Sequence, residues 1–220
     1  MSIHGVLIDF SGTLFRLEID ESWLAEEHGA EHTQHLIHVL TAPARPATEL
    51  PPDMVRDWER RDLDPDVHQR VYTESLRQAG LSAPGQAEDA YRRMLDPSNW
   101  RPYPDVRAAL ERLRDKNIPV AVVSNIAWDI RDVFDRLDLR DLVTEFVLSY
   151  QEGSVKPAEK IFRIACDRLG VDPRHALMIG DSREADGGAT ALGCELAIVD
   201  PLPTQERPDA LLAALTAHGL

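Results

Sequence analysis

Gly5-Val6-Leu7-Ile8-Asp9-Phe10-Ser11-Gly12-Thr13-Leu14-Phe15 is the stretch from which the rest of this 220-residue chain can be placed. Val6, Leu7 and Ile8 form an unbroken apolar run, the pattern of a parallel strand buried on both faces. Asp9 ends the run at the strand's carboxyl end, where open α/β sheets place their ligands. Gly12 lets the backbone turn sharply just beyond it. Taken alone, Asp-x-x-Gly reads equally well as a strand end with a helix-capping acid. The other strand ends decide between the two.

Downstream, apolar runs alternate with helical patterns. Asp105 to Lys116 reads as a helix leading into the buried strand Ile118-Pro119-Val120-Ala121-Val122-Val123-Ser124. A helix from Trp128 to Leu137 and a weaker strand from Glu145 to Leu148 follow. Pro157 to Leu169 is a strong helical pattern, and Gly170 supplies its stop. Ala176-Leu177-Met178-Ile179-Gly180-Asp181 repeats the opening theme of an apolar strand that stops on an acid. A helix from Ala185 to Leu192, a strand from Leu196 to Val199 and a terminal helix from about Gln205 complete the series. This alternation predicts an α/β fold, a parallel sheet with helices on both faces.

Between Arg16 and Trp100 the strand pattern is missing and helical periodicity dominates. Ser22-Trp23-Leu24-Ala25-Glu26-Glu27 has the acids of a first helical turn. Gly29 interrupts the pattern before Thr33 to Leu40, and Ala42-Pro43-Ala44-Arg45-Pro46 and Pro51-Pro52 mark a loop. Helices are expected at Asp53–Asp62, Pro65–Ala79 and Pro84–Leu95. The expected organisation is a core of residues 1–16 and 101–220, with residues 17–100 inserted as an all-helical domain above the sheet's carboxyl edge.

With 43% hydrophobic and 28% charged residues, the composition is that of a globular protein. A net charge of −14 argues against a nucleic-acid backbone as partner. An anionic substrate would therefore need a metal ion or focused basic side chains. No apolar run approaches the ~20 residues of a bilayer span, and the N-terminal stretch lacks a signal-type core. The expectation is a cytoplasmic protein without a membrane partner. Cys166 and Cys194 have no metal-type spacing and read as small buried hydrophobes.

The strand ends carry the chemistry. Asp9 ends one strand, Ser124 another and Asp181 a third, with Asp186 a helical turn further on and Lys156 opening the helix after the weaker strand. If those strands are neighbours, a hydroxyl, an ammonium and three carboxylates meet at one point. Crowded carboxylates need a cation, and hard oxygen ligands without His or Cys suit Mg²⁺.

Asp9-Phe10-Ser11-Gly12-Thr13-Leu14, Val123-Ser124-Asn125, Lys156-Pro157 and Gly180-Asp181-Ser182 with Asp186 together resemble the four motifs of the haloacid dehalogenase-like hydrolase superfamily, in order. The resemblance implies a Rossmann-like core with a helical cap inserted after the first motif. It implies that Asp9 is a nucleophile forming an aspartyl phosphate, and that Ser124, Asn125 and Gly12 meet the phosphoryl group. Lys156 would neutralise charge on nucleophile and phosphate. Mg²⁺ would be held by Asp9, the backbone carbonyl of Ser11, Asp181 and Asp186.

The implied activity is hydrolysis of a small phosphorylated metabolite. One position departs from the pattern. Phosphatases of the superfamily usually carry a second Asp two residues after the nucleophile, which protonates the leaving oxygen; here it is Ser11. A hydroxyl cannot replace a carboxylic acid in proton transfer, which is typically worth ~10²–10⁴ in rate. Activity would then be weak or confined to good leaving groups, such as acyl or aryl phosphates.

Two other functions fit the same departure: a 2-haloacid dehalogenase-type hydrolase, and a non-catalytic module that binds a phosphorylated ligand or a protein. Asp181 favours keeping the metal and so the phosphatase. The lysines Lys116, Lys156 and Lys160 leave none in the cap for a Schiff base. His28, His32, His35 and His38 recur at helical spacing and read as a polar face rather than a zinc site. Arg45, Arg56, Arg60 and Arg61 are cap charges open to a second anionic group. Trp23, Trp58, Tyr72 and Trp100 read as packing.

Overall fold

The computed structural model of the chain describes residues 2–18, 35–36, 39–40, 50 and 52–220. The expected helix start at Ser22–Glu27, the break at Gly29, the Ala42–Pro46 loop, and Trp23, Arg45, His28, His32 and His38 lie outside them.

In chain order the elements are β1 (Gly5–Ile8), β2 (Phe15–Leu17), α1 (Pro52–Arg60), α2 (Pro65–Gln78), α3 (Gln86–Leu95) and β3 (Trp100–Pro102). Then come α4 (Val106–Asp115), β4 (Val120–Ser124), α5 (Arg131–Asp135), β5 (Glu145–Leu148), α6 (Ser149–Glu152) and α7 (Glu159–Leu169). The series closes with β6 (Ala176–Gly180), β7 (Glu195–Ile198) and α8 (Ala210–Ala217). The chain divides into two compact units, residues 1–16 with 101–220, and residues 17–100.

The first unit is built on a five-stranded sheet in the order β5-β4-β1-β6-β7, with every pair parallel. Side chains alternate across such a sheet. Leu7, Ala121, Val123, Val147 and Met178 share one buried cluster with Ile161, Phe162, Ala165 and Cys166 of α7. Their neighbours Val6, Ile8, Val122, Leu177 and Ile179 are equally buried, so the other face is covered too. That is why these strands read as continuous apolar runs. Asp105 spans a long sequence gap to cap α8, its Oδ2 accepting from the N–H groups of Leu211 (2.8 Å) and Leu212 (3.0 Å).

Register fixes the site. β1 is central, with Ile8 opposite Val122 of β4 on one side and Ile179 of β6 on the other. The carboxyl ends of β4, β1 and β6 are therefore adjacent. Phe10 and Phe15, on either side of the turn after Asp9, both pack on Phe134, with ring centroids 6.0 and 4.9 Å away. The turn is thus anchored to the core at both ends.

Several elements differ from the sequence reading. Lys156 does not open a helix; α7 starts at Glu159, because the residue before a proline is steered to extended backbone. The expected helix at Trp128–Leu137 shrinks to α5; Asp129 lies just before it, its Oδ1 accepting from Arg131 N (3.0 Å), and Asp138, beyond its end, has φ 51°. The expected helix at Ala185–Leu192 is a 3₁₀ helix over Asp186–Leu192, where Gly187 and Gly188 lower helix propensity. The two short strands β2 and β3, which pair with each other, carry too few residues to show a period.

The second unit contains α1, α2 and α3 among its described residues. Asp64 caps α2, its Oδ1 accepting from Asp66 N (2.9 Å) and Val67 N (3.2 Å), with Pro65 as the first helical residue. Trp58 stacks on Tyr72 at 5.5 Å, and His68 lies against Tyr72 at 4.2 Å, its Nδ1 2.9 Å from the Tyr91 hydroxyl. Trp100 is buried, its Nε1 donating to Met94 O (2.9 Å). Arg56 and Arg60 are exposed, while the Arg61 guanidinium lies 4.3 Å from the Trp58 ring centre.

Candidate active site

Asp9 follows β1 directly, its N–H donating to Ile179 O (2.9 Å), so the β1–β6 ladder holds the first carboxylate. Lys156 reaches it across the sheet edge: its Nζ lies 2.7 Å from Asp9 Oδ1 and 2.6 Å from Asp186 Oδ1. All three side chains are buried. Asp186 is held by both oxygens, because its Oδ2 accepts from Ser182 N (2.9 Å) while its own N–H donates to Ser182 O (2.7 Å). Asp181, one residue beyond β6, is half-buried. Asp9, Asp181 and Asp186 each offer an oxygen within 4.8 Å of the other two, the one such group of potential metal ligands among the described residues.

Two glycines let these carboxylates approach. Gly12 has φ +76°, and a Cβ there would run into the Asp181 carboxylate. At Gly180 a Cβ would run into that of Asp186. The lysine is placed by the neighbouring strand end. Ser124 ends β4 in the interior, and the next residue, Asn125, turns its amide onto the backbone of Lys156. Asn125 thus meets the lysine's main chain rather than standing free for a ligand. Ser149, absent from the sequence reading, secures the same loop, its Oγ accepting from Ile126 N (2.8 Å) and donating to Ile126 O (3.0 Å). A buried serine at the start of a short helix carries no distinguishing pattern in sequence.

The electrostatics follow from a simple imbalance: three carboxylates face one ammonium. Burial pushes the Asp9 carboxyl up to about 8, and the charges of Asp186 and Asp181 add to the rise while Lys156 opposes it. Asp181 is also raised, by burial and by Asp186, with Lys156 and a hydrogen bond to Asp9 acting against the shift. Lys156 is itself desolvated, yet its two carboxylate partners outweigh that and hold it firmly protonated. Burial and mutual repulsion thus favour the protonated forms of Asp9 and Asp181. A divalent cation would relieve that repulsion, and carboxylates without His or Cys are the donors that a hard cation prefers.

Of the sequence-derived candidates, the structure gathers Asp9, Lys156, Asp181 and Asp186 at one point, with Gly12 against Asp181 and Asn125 behind Lys156. Ser11 lies in the turn after Asp9, exposed and bridged to Phe15. Cys166 and Cys194 belong to the core cluster. His35 is exposed. Among the described residues no helix is long and apolar enough to cross a membrane.

Residues 3–191 match the family model for haloacid dehalogenase-like hydrolases. The chain is 34% identical over 113 residues to ribulose-1,5-bisphosphate 5-phosphatase of Halopiger xanaduensis, covering 50% of this chain and 46% of that protein. It is 30% identical over 145 residues to phosphoserine phosphatase of Thermus thermophilus, covering 64% and 58%. The matched region thus spans about half the length of these relatives. Among solved structures, L-2-haloacid dehalogenase from Xanthobacter autotrophicus superposes with a TM-score of 0.66 at 20% identity, covering 98% of this chain and 83% of that one. This last likeness is one of fold. On the family match, the chain belongs to the haloacid dehalogenase-like hydrolases.

Proposed function

We propose that this chain is a Mg²⁺-dependent phosphohydrolase that acts on a small phosphorylated metabolite through an aspartyl phosphate on Asp9. The observation that carries the reading is the buried Asp9–Lys156–Asp186 contact beside Asp181. A nucleophilic carboxylate, a fixed cation and a hard-ligand metal site are what phosphoryl transfer requires, since its catalysis is positioning and charge stabilisation. The phosphatase names of two relatives support the substrate class.

Asp9 and Asp181, with the Ser11 carbonyl, would hold the cation. Asp186, both of whose oxygens are engaged, would act from behind or through water. When bound, the cation supplies neutralisation of charge on the nucleophile and on the phosphoryl oxygens. Asp9 attacks phosphorus, the P–O bond to the leaving group breaks, and water then attacks the phosphorus of the aspartyl phosphate. Inorganic phosphate leaves and Asp9 is regenerated. Lys156 keeps the attacking oxygen oriented, Ser124 hydrogen-bonds the phosphoryl group, and Asn125 holds Lys156 in place. With Ser11 beside the nucleophile, the leaving oxygen departs without a carboxylic acid to protonate it. The reading therefore favours acyl or aryl phosphates. Residues 17–100 are read as the cap that selects the substrate.

Ser11 also favours a second reading. A halide leaves without a proton, so attack of Asp9 on carbon would not miss the acid. The Asp181 carboxylate, unneeded in that chemistry, puts this reading second.

The test is release of phosphate from acetyl phosphate with Mg²⁺ or with EDTA, beside an Asp9→Asn control. Turnover that needs both Mg²⁺ and Asp9 is the expected result. No turnover with Mg²⁺ bound would reject the reading, and a 2-haloacid assay would follow.

A further inference from the structure

We infer that Arg207 is a positioning residue for the turn that carries the nucleophile; this rests on the function proposed above. Arg207 lies after the last strand, beyond the segment matched by the family model and outside all four motifs. It is only 4% exposed, and among the described residues no carboxylate lies within ion-pair distance, which is unusual for a buried arginine. Its guanidinium instead serves the main chain. Nη1 donates to Gly12 O (2.7 Å) and to Asp200 O (3.3 Å), and Nη2 donates to Thr13 O. The fork lies 3.1 Å above the centre of the Tyr103 ring, whose hydroxyl donates to Leu202 O (2.9 Å). Burial lowers the basicity of Arg207, and Tyr103, Asp105 and Asp181 act against this. The group stays cationic, because an arginine does not give up its proton inside a protein.

This arrangement acts on the turn after Asp9. Within the turn, Gly12 N donates to Phe15 O (2.7 Å), and Leu14 N (3.0 Å) and Phe15 N (2.9 Å) both donate to Phe10 O. The next three carbonyls, of Gly12, Thr13 and Leu14, are all taken from outside the turn: two by Arg207 and the third by Tyr103 N (3.1 Å). A trans peptide unit places its N–H opposite its C=O. Holding the Gly12 carbonyl therefore aims the Thr13 N–H away from Arg207, and holding the Thr13 carbonyl aims Leu14 N–H back at Phe10. Gly12 itself is in the left-handed region, and a Cβ there would meet the Asp181 carboxylate, so this part of the turn runs close beside a metal-side acid. The planar two-point fork fixes two successive peptide planes at once, which a lysine ammonium cannot reproduce.

The test compares wild type with Arg207→Lys, and with Arg207→Gln as the second variant should the lysine form not fold. Hydrogen exchange is followed by mass spectrometry on the peptide containing residues 9–15, with β4 and α7 as internal references. Turnover of acetyl phosphate is measured well below the melting temperature. The expected result is exchange at least about tenfold faster in the turn with the references unchanged. A kcat lowered about 10–100-fold, with KM within about threefold, is expected alongside. Unchanged exchange in the turn overturns the inference whether or not the wild type turns over. A loosened turn with unchanged kcat in an active wild type overturns it as well. Loss of wild-type turnover with a loosened turn would reject the proposed function and keep the clamp.

Discussion

Asn125 holds Lys156 by both polar atoms of its main chain: Nδ2 donates to Lys156 O (2.9 Å) and Oδ1 accepts from Lys156 N (2.7 Å). The end of one strand thereby fixes a lysine that serves the end of the next. Asn125→Ala leaves those two groups unpaired in a half-buried setting, at a cost of about 1–3 kcal/mol. It also frees Lys156 to drift from Asp9. Urea denaturation should register the loss, and turnover should fall about 10–100-fold. Wild-type values in both would contradict this role.

Ser11→Asp restores a proton donor next to the nucleophile. Hydrolysis of an alkyl phosphate should rise by about 10²–10⁴, while acetyl phosphate, whose leaving group needs little protonation, should change little. Steady-state rates on the two substrates decide it. An equal gain on both, or on neither, would remove Ser11 as the cause of the preference.

Asp9 makes metal-free stability depend on pH. Its carboxyl is raised in the fold from 3.8 to about 8, chiefly by burial. A raised acid contributes most where it stays protonated, so its contribution is complete below 3.8 and is lost as the pH rises through about 8. In EDTA, the melting temperature should fall as the pH rises from about 4 to about 8 and level off above, and should fall less in Asp9→Asn. Mg²⁺ added near pH 7 should displace up to about one proton, seen as calorimetric heats that scale with the buffer's ionisation enthalpy. Buffer-independent heats would refute the displacement.

Gly180→Ala places a methyl group where the Asp186 carboxylate lies. Overpacking of this kind costs about 1–3 kcal/mol, and here the displaced group is the second partner of Lys156. Thermal melts should show the loss and Mg²⁺ affinity should fall with it. A variant with native stability and affinity would mean that the strand end is free to shift.

His68 tests the second unit. Burial, aided by the Arg61 charge, lowers its pKa from 6.5 to about 3. A depressed group contributes in full above its unfolded value, so this contribution is complete above pH 6.5 and is lost as the pH falls through about 3. The loss is limited to about 1.4 kcal/mol per pH unit. Protection factors in α2 and α3, which remove the intrinsic pH dependence of amide exchange, should fall below pH 6.5. His68→Phe should begin less stable by about 1 kcal/mol, having lost the Tyr91 hydrogen bond, yet depend less on pH. An unaltered slope would locate the titration elsewhere.

The middle of the sheet was legible in sequence because β1, β4 and β6 are short, apolar and buried on both faces, and each stops on or just before a polar residue. Asp9, Ser124 and Asp181 mark those stops as they stand in the chain. What eluded the reading has a common physical character. β2 and β3 are too short to establish a period. That the Asp186–Leu192 helix lies so close to Pro157 that only glycine fits at position 188 is a tertiary matter. Arg207 and Ser149 act on main-chain groups far off in sequence, and nothing in their own neighbourhoods signals it. Asn125 was read from the sequence as a candidate substrate-binding residue, and its hold on Lys156 appears only once the two loops are side by side.

The central place of β1 also bears on how the protein is made. β1 is synthesised before both strands that flank it, β4 and β6, so Ile8 waits for Val122 on one edge and Ile179 on the other. Until then an apolar strand has open edges, the condition under which nascent chains pair with one another. The turn after Asp9 waits longer still, until Arg207 has been synthesised. A polypeptide interrupted between Asp186 and that arginine would carry every acid of the site, with the central strand flanked on both edges, and the carbonyls of Gly12 and Thr13 still ungripped.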